Sequence, residues 1–312
     1  MKYRLCTLMI LVFMTAACGK NYKKQWEEFR TSRDAFYQQG QYIQAIEAGE
    51  HAVEAAQKAF GKQDIQVADA LADLANLYVE QDMLEKAEQT FIGALQIKET
   101  VLGAEHPDVA TILNGLALLY MEQYRFADAE MALYRAFTIK EKALGQHNPE
   151  IAILLSNLAG LSQQQGHYEQ AESYLTRALS IKEQELGADH LELTLYLNNL
   201  GALNYGQQQY DKAEAFFQRA LRIVERQSQP NYESLMNALN NLVLIYDKQE
   251  RYDEALPVYQ RILMIQEQVL GPSHPEVALV LGYIAECYRK LGMEEEAVQA
   301  EERANVIESQ RP

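Results

Sequence analysis

Apolar residues recur along most of this chain at helical spacing, in pairs of stretches separated by short polar turns. The clearest pair lies between residues 68 and 101, where the apolar positions are spaced three or four residues apart and share one face of a helix. These positions are Leu71, Leu74, Ala75 and Tyr78 in the first stretch, and Ala87, Phe91, Ala94 and Leu95 in the second. The pattern predicts a helical hairpin.

The hairpin pattern repeats with a period of 42 residues. We call each position of the 42-residue repeat a node. One node holds alanine in every copy, at Ala45, Ala87, Ala129, Ala171, Ala213, Ala255 and Ala297. Because the period does not drift, the chain reuses one structural unit with no inserted domain. The predicted units lie near residues 26–59, 68–101, 110–143, 152–185, 194–227, 236–269 and 278–308, with a tail at 309–312.

The connectors between units have their own pattern. Glycine recurs at the 42-residue period, at Gly61, Gly103, Gly145, Gly187 and Gly271, with Gln229 at the vacant node. Glycine favours the left-handed cap that ends a helix. Histidine follows at His106, His190 and His274, which we assign to caps. A metal ion would need such side chains within about 2.1 Å, whereas packed helices stand roughly 8–10 Å apart. No metal site is predicted.

The repeat carries a family resemblance. The run LADLANLY at residues 71–78, followed by AEQTF at 87–91, resembles the tetratricopeptide signature W-x2-L-G-x2-Y…A-x3-F. A longer second helix and the LGxxHP connector, as at residues 102–107 and 270–275, make the unit similar to the kinesin-light-chain subtype. The resemblance covers about residues 26–308. It implies an all-α, right-handed superhelical solenoid of about seven helix-turn-helix repeats.

Length and charge agree with an array and narrow the choice of partner. The 312 residues exceed the roughly 250–300 at which a single core stops growing. Lys and Arg number 28 against 44 Asp and Glu, a formal charge of −16. Nucleic-acid binding requires clustered basic residues that neutralise phosphates, and no such stripe is present. We therefore predict no nucleic-acid partner.

Residues 1–17 have the pattern of a secretory signal peptide. Two basic residues precede an apolar run at residues 5–13, which is too short to span a membrane, and small residues follow. The ending resembles the lipobox of bacterial lipoproteins, in which the cysteine is acylated and becomes the new amino terminus. The resemblance implies a lipidated, palmitate-bearing Cys18 and a tether at residues 18–25. The alternative is ordinary secretion with cleavage after Ala17.

The residue after Cys18 bears on location. In the resembling family an aspartate there tends to retain the protein at the inner membrane, and this chain has Gly19. The expected location is the bacterial cell envelope, with the lipid anchor in the outer membrane and the chain facing the periplasm. Removal of the signal takes Cys6 with it and leaves Cys287 in an apolar stretch, so we predict a buried thiol and no disulfide framework.

Asparagine recurs on the predicted first helices. The six residues fall on two adjacent nodes of the repeat and are Asn114, Asn157, Asn198, Asn199, Asn240 and Asn241. In the resembling family the first helices line a concave groove that holds a peptide. Since asparagine both donates and accepts hydrogen bonds, we predict a ladder that pairs with a peptide backbone. The alternative is that each asparagine bonds a neighbouring helix or loop, because this poor helix former needs some reason to recur.

Together these features predict a non-catalytic protein-interaction scaffold, anchored to the membrane by lipid and monomeric, that binds peptide segments or protein partners in its concave groove. A second hypothesis is a structural subunit of an envelope export or surface-assembly machine, held through its convex face. An enzyme is disfavoured, because the sequence has no Gly-rich phosphate loop, paired Cys motif or HExxH string. No catalytic residue and no cofactor are predicted.

Overall fold

A computed structural model describes residues 21–228 and 231–309, and this part of the chain forms fourteen helices and no strand. The helices are α1 (residues 21–38), α2 (Tyr42–Phe60), α3 (Ile65–Glu80), α4 (Leu84–Leu102), α5 (Pro107–Glu122), α6 (Phe126–Leu144), α7 (Pro149–Gln164), α8 (Tyr168–Leu186), α9 (Leu193–Gly206), α10 (Tyr210–Glu225), α11 (Tyr232–Lys248), α12 (Tyr252–Leu270), α13 (Pro275–Lys290) and α14 (Glu294–Ser309). The predicted all-α fold is confirmed. The signal peptide, Cys18 and Gln229 lie outside the described residues.

The helices fall into two compact units, the first ending at Gly166 and the second beginning at His167. The odd-numbered helices are the first helices of the repeats and the even-numbered helices are the second helices. In the first unit α3 packs on α4 and α5 on α6, and each pair then contacts the next first helix. In the second unit α9 packs on α10 and α13 on α14 in the same way. Each unit is thus a stretch of helical-repeat solenoid.

The alanine node explains why the helices of a hairpin pack closely. All seven alanines at this node, from Ala45 to Ala297, have no exposed surface. A methyl side chain lets two helix backbones approach, while larger residues fill the space beside the contact. Those larger residues are Phe91, Leu133, Leu175, Phe217 and Tyr259, and all five are buried.

The glycines of the connectors adopt a backbone conformation open to fewer residue types than the predicted left-handed cap. The five repeat glycines have φ between 82° and 96° and ψ between 152° and 158°, as at Gly103. This is outside the left-handed helical region and belongs to a region that essentially only glycine occupies. The helix ends at this extended residue, and the next helix starts four residues later, or six residues later after Gly187. The left-handed cap was therefore the wrong assignment, although the need for glycine was right.

The histidines cap helices, as predicted for His106 and His274. The Nδ1 atom of His106 accepts a hydrogen bond of 3.1 Å from the backbone N–H of Asp108. His274 accepts one of 3.3 Å from Glu276. His190 makes the same contact with Glu192, at 3.2 Å, but α9 begins only at Leu193. Because each Nδ1 accepts, the cap depends on the neutral ring.

The amino-terminal helix differs from the predicted tether. Residues 21–25 are helical and continue into the rest of α1. Aromatic contacts with α2 explain this: the Lys58 ammonium lies 5.6 Å from the ring centroid of Tyr22, and the Trp26 and Phe60 rings meet edge to face at 5.1 Å. Within the described residues, no helix is both long enough and apolar enough to cross a membrane.

Candidate functional site

The six predicted asparagines all lie on first helices, and the structure brings four of them together in two pairs. In the first unit, the Nδ2 atom of Asn157 on α7 donates to Oδ1 of Asn114 on α5 over 2.7 Å. In the second unit, Asn241 on α11 donates to Asn198 on α9 over 3.3 Å. Both bonds join residues 43 positions apart and bridge neighbouring first helices. Each of these bonds fits the alternative stated above, in which an asparagine bonds a neighbouring helix.

The pairs leave hydrogen-bonding capacity unused. An asparagine amide has two N–H donors and an oxygen with two lone pairs. One bond between two amides therefore leaves an acceptor on Asn241 and donors on Asn198. Asn199 and Asn240 are exposed and form no hydrogen bond with another residue of the described chain. Bonding to a neighbouring helix thus accounts for four of the asparagines and not for Asn199 and Asn240. A role of the six asparagines in peptide binding stays a prediction.

Exposed aliphatic side chains lie on the first helices close to the asparagine nodes, including Leu279 on α13, which itself has no asparagine. They recur at two nodes, one turn before and one turn after the asparagine node, and are Leu118, Ile153, Leu195, Leu244 and Leu279. Between 40% and 58% of each side chain's surface is exposed. This set is absent from the predicted site residues, although its members recur at the 42-residue period. A surface of this kind presents amide groups between two apolar margins.

A small cavity lies beside the asparagine pair of the first unit. It measures about 180 Å³ and is lined by Asn114, Thr111, Ile153 and Leu154, with the Lys140–Glu150 ion pair at its edge. The same second-helix node holds the buried lysines Lys98 and Lys182, which pair with Asp69 on α3 and with Glu192, just before α9, respectively. The Lys140 and Lys182 ion pairs link one hairpin to the next, and the Lys98 pair with Asp69 joins the two helices of one hairpin.

Reactive and metal-binding chemistry is sparse in the described part of the chain. No group of three or more His, Cys, Asp and Glu side chains there is arranged to hold a metal ion. Cys287 is buried, as predicted, and burial raises the pKa of its thiol to about 11. A thiol with this pKa is almost entirely protonated near neutral pH and is a poor nucleophile.

These features define a helical-repeat protein with an amide-lined surface on its first helices. The tetratricopeptide repeat family model matches residues 34–92, 79–142, 150–226 and 234–304. The chain therefore belongs to the tetratricopeptide repeat family, whose members generally act as non-catalytic scaffolds that bind proteins or peptides. No curated protein sequence matches it.

Several solved structures share the fold. BtubC (BKLC) from P. vanneervenii is 24% identical with a TM-score of 0.65, and the match covers 74% of this chain and 92% of that one. A kinesin-light-chain protein with nearly identical TPR-like repeats from Podosopora anserina is 21% identical with a TM-score of 0.56, covering 67% and 100%. The Rap conjugation gene regulator of plasmid pLS20, in complex with the Phr* peptide, is 16% identical with a TM-score of 0.55, covering 91% and 74%. The predicted similarity to kinesin-light-chain repeats is confirmed at the level of fold.

Proposed function

We propose that the chain is a non-catalytic scaffold, anchored by lipid in the bacterial cell envelope, that binds an extended peptide segment of a partner protein along its first helices. The observation that carries this proposal is the pair of asparagine bonds between neighbouring first helices, with Asn199 and Asn240 exposed beside one of them. Because each asparagine bond lies within one compact unit, the proposed peptide-binding surface is defined for each unit by itself.

The chemistry of the surface suits a peptide backbone. An extended segment presents N–H and C=O groups in alternation, and an asparagine amide can meet either kind. The bond from Asn241 to Asn198 holds both amides in fixed orientations, so less side-chain freedom is lost on binding. The exposed Leu195 and Leu244 can cover apolar side chains of the same segment. The surface therefore favours a backbone ladder with modest side-chain selectivity.

A protein of similar fold supports the peptide part of the proposal. The Rap regulator that matches 91% of this chain is described in complex with the Phr* peptide. That protein shows that this arrangement of helices is compatible with peptide binding, and the asparagine ladder is the corresponding feature proposed for this chain.

Site-specific photo-crosslinking in intact cells tests the groove. A photoreactive residue at Leu195, exposed on α9, should capture a defined partner, whereas one at Met264, exposed on the second helix α12, should not. Replacing Asn157, Asn199 and Asn241 together with alanine should abolish capture at Leu195, while circular dichroism shows unchanged helicity. Undiminished capture in the triple variant would refute the groove. Capture at Met264 alone would favour the second hypothesis, a subunit held by its convex face.

The anchor needs its own measurement. Cells grown with labelled palmitate should incorporate the label into the wild-type chain and not into a Cys18→Ser variant. The wild-type chain should follow the outer-membrane fraction, since stable anchoring by acyl chains depends on the buried CH₂ groups. Absence of label from the wild-type chain would favour ordinary secretion with cleavage after Ala17, and label in both proteins would mean that a residue other than Cys18 carries the acyl chain.

A further inference from the structure

A small cavity in the second unit is lined by aromatic and acidic side chains. It measures about 160 Å³ and lies among α11, α12 and α13. Its lining consists of Asp247, Tyr252, Tyr259, Tyr283, Glu286 and Cys287. Three aromatic rings and two carboxyl groups thus surround a space that is too small for a nucleotide and large enough for the end of one side chain.

The aromatic walls are fixed in place. The rings of Tyr259 and Tyr283 stack with centroids 5.4 Å apart at an interplanar angle of 20°. The Tyr259 hydroxyl donates a hydrogen bond to Oδ2 of Asp247, and only 6% of Tyr259 is exposed. Tyr283 is 42% exposed, so one face of the stacked pair remains open. The face of a tyrosine ring attracts cations through its quadrupole.

The two carboxyl groups have no compensating cation. No Lys, Arg or His of the described chain lies within 4.0 Å of the carboxylate oxygens of Asp247 or Glu286. Burial raises the pKa of Asp247, and the nearby charge of Glu286 raises it further. The Lys290 ammonium lies 5.8 Å from the ring centroid of Tyr252, one of the residues that line the cavity. Arg289 is held elsewhere, by Glu301 over 2.6 Å.

The cavity lies at the end of the asparagine column of the second unit. Tyr283 occupies on α13 the node that Asn199 and Asn241 occupy on α9 and α11. A peptide that follows this column would therefore bring one of its side chains to the open face of Tyr283. Two uncompensated carboxyl groups and an aromatic face select a positively charged side chain over a neutral or acidic one.

We propose that this cavity binds the cationic side chain of a lysine or arginine in the partner peptide. That the occupant is a side chain of the bound peptide rests on the proposed function. That the occupant is positively charged rests on the cavity alone. It goes beyond a backbone ladder because it gives the partner a required residue type at one position.

The test uses small cations that do not depend on the groove. The full chain, purified in detergent with ring-labelled tyrosine, is titrated with n-butylammonium and n-propylguanidinium, the ends of lysine and arginine side chains, and with neutral n-butanol. Both cations should shift the NMR signals of Tyr259 and Tyr283 saturably, and n-butanol should not. Asp247→Asn and Glu286→Gln should each weaken the apparent affinity at least about tenfold, as expected for loss of a nearby charge.

Matched variants separate the outcomes. Glu295→Gln removes an exposed carboxylate of α14 outside the cavity and should leave the affinity for both cations unchanged. Equal shifts with n-butanol, or cation binding that survives both Asp247→Asn and Glu286→Gln, would overturn the proposal. The probes are too small to span the asparagine column. Their failure to bind therefore refutes the cavity and leaves the groove standing, whereas failed capture at Leu195 refutes the groove and leaves an isolated cation site.

Discussion

Replacing Gly201 with alanine should lower the free energy of unfolding of the second unit by about 1 kcal/mol, because overpacking of about 1–3 kcal/mol outweighs the gain of roughly 1 kcal/mol in helix propensity. A Cβ atom on Gly201 would lie 2.7 Å from both Cδ1 and Cζ of Phe217, and Cε1 would be closer still. The conflict involves a ring that is itself buried and has little room to move. Urea unfolding followed by circular dichroism measures the change.

The chain offers two matched controls for this substitution. Gly282 lies on α13 of the same unit, and a Cβ there meets nothing within 4 Å, so Gly282→Ala should be stabilising. Adding Phe217→Leu to Gly201→Ala recreates the pairing of Ala117 with Leu133 in an earlier repeat and should recover most of the loss. Equal effects of the two alanine substitutions would show that the Phe217 contact does not limit this position.

Most of the fold could be predicted from the sequence, because each repeat buries its apolar face only against its neighbours. The alanine node is the strongest case: one small residue recurring every 42 positions indicates a close helix contact, and all seven copies are fully buried. The ends of α3 and α4 follow in the same way from local spacing and the polar turn between them.

One turn could not be predicted from residue types. The turn between first and second helices needs a positive φ at one node, and glycine fills it at Gly40, Gly166 and Gly292. The same node holds Asp82, Tyr124, Gln208 and Glu250 with φ between 54° and 62°. Packing of the two helices imposes the conformation there, so the glycine signal is lost in four of the seven repeats.

The site was predicted only in part, for a geometric reason. The asparagines could be found because they share nodes, but their pairing depends on a 43-residue offset that only stacked helices define. The cavity at Asp247 combines Tyr259 of a second helix with Tyr283 and Glu286 of the following first helix. No short motif joins residues from different helices in this way, so such a site becomes visible only after the hairpins are packed.

The largest stability effect should come from a single buried amide, Asn204. In four other repeats this node holds tyrosine, and in two of them an arginine stands five residues later: Tyr246 donates to Glu214 over 3.1 Å, and Arg251 bonds the same carboxylate over 2.6 Å. The fifth repeat has asparagine there and Gln209 in place of the arginine. Asn204 is fully buried, and no donor of the described chain reaches its Oδ1 atom, nor the Oε1 atom of Gln209. This repeat therefore lacks the tyrosine–arginine–carboxylate network of the sixth repeat.

Asn204→Asp should accordingly destabilise the second unit by about 3–5 kcal/mol near neutral pH, the usual cost of an uncompensated buried charge. The new carboxyl group would have a raised pKa in the folded state, because burial disfavours its charged form. Its cost is therefore absent below the unfolded pKa of about 3.9 and grows as pH rises, by up to about 1.4 kcal/mol per pH unit until the folded pKa is passed.

Asn204→Leu is the control, since it has a similar shape and removes the unbonded oxygen; it should leave stability unchanged or raise it by about 1–2 kcal/mol. Urea unfolding of both variants between about pH 5 and pH 8 compares them with the wild type. In wild type the backbone carbonyl of Leu200 accepts a hydrogen bond of 2.9 Å from the Asn204 amide. In Asn204→Leu this carbonyl loses that bond but remains within helix α9. If the aspartate variant showed no pH-dependent deficit, water would have to reach this node, and the packing of α9 against α10 would be looser than its full burial indicates.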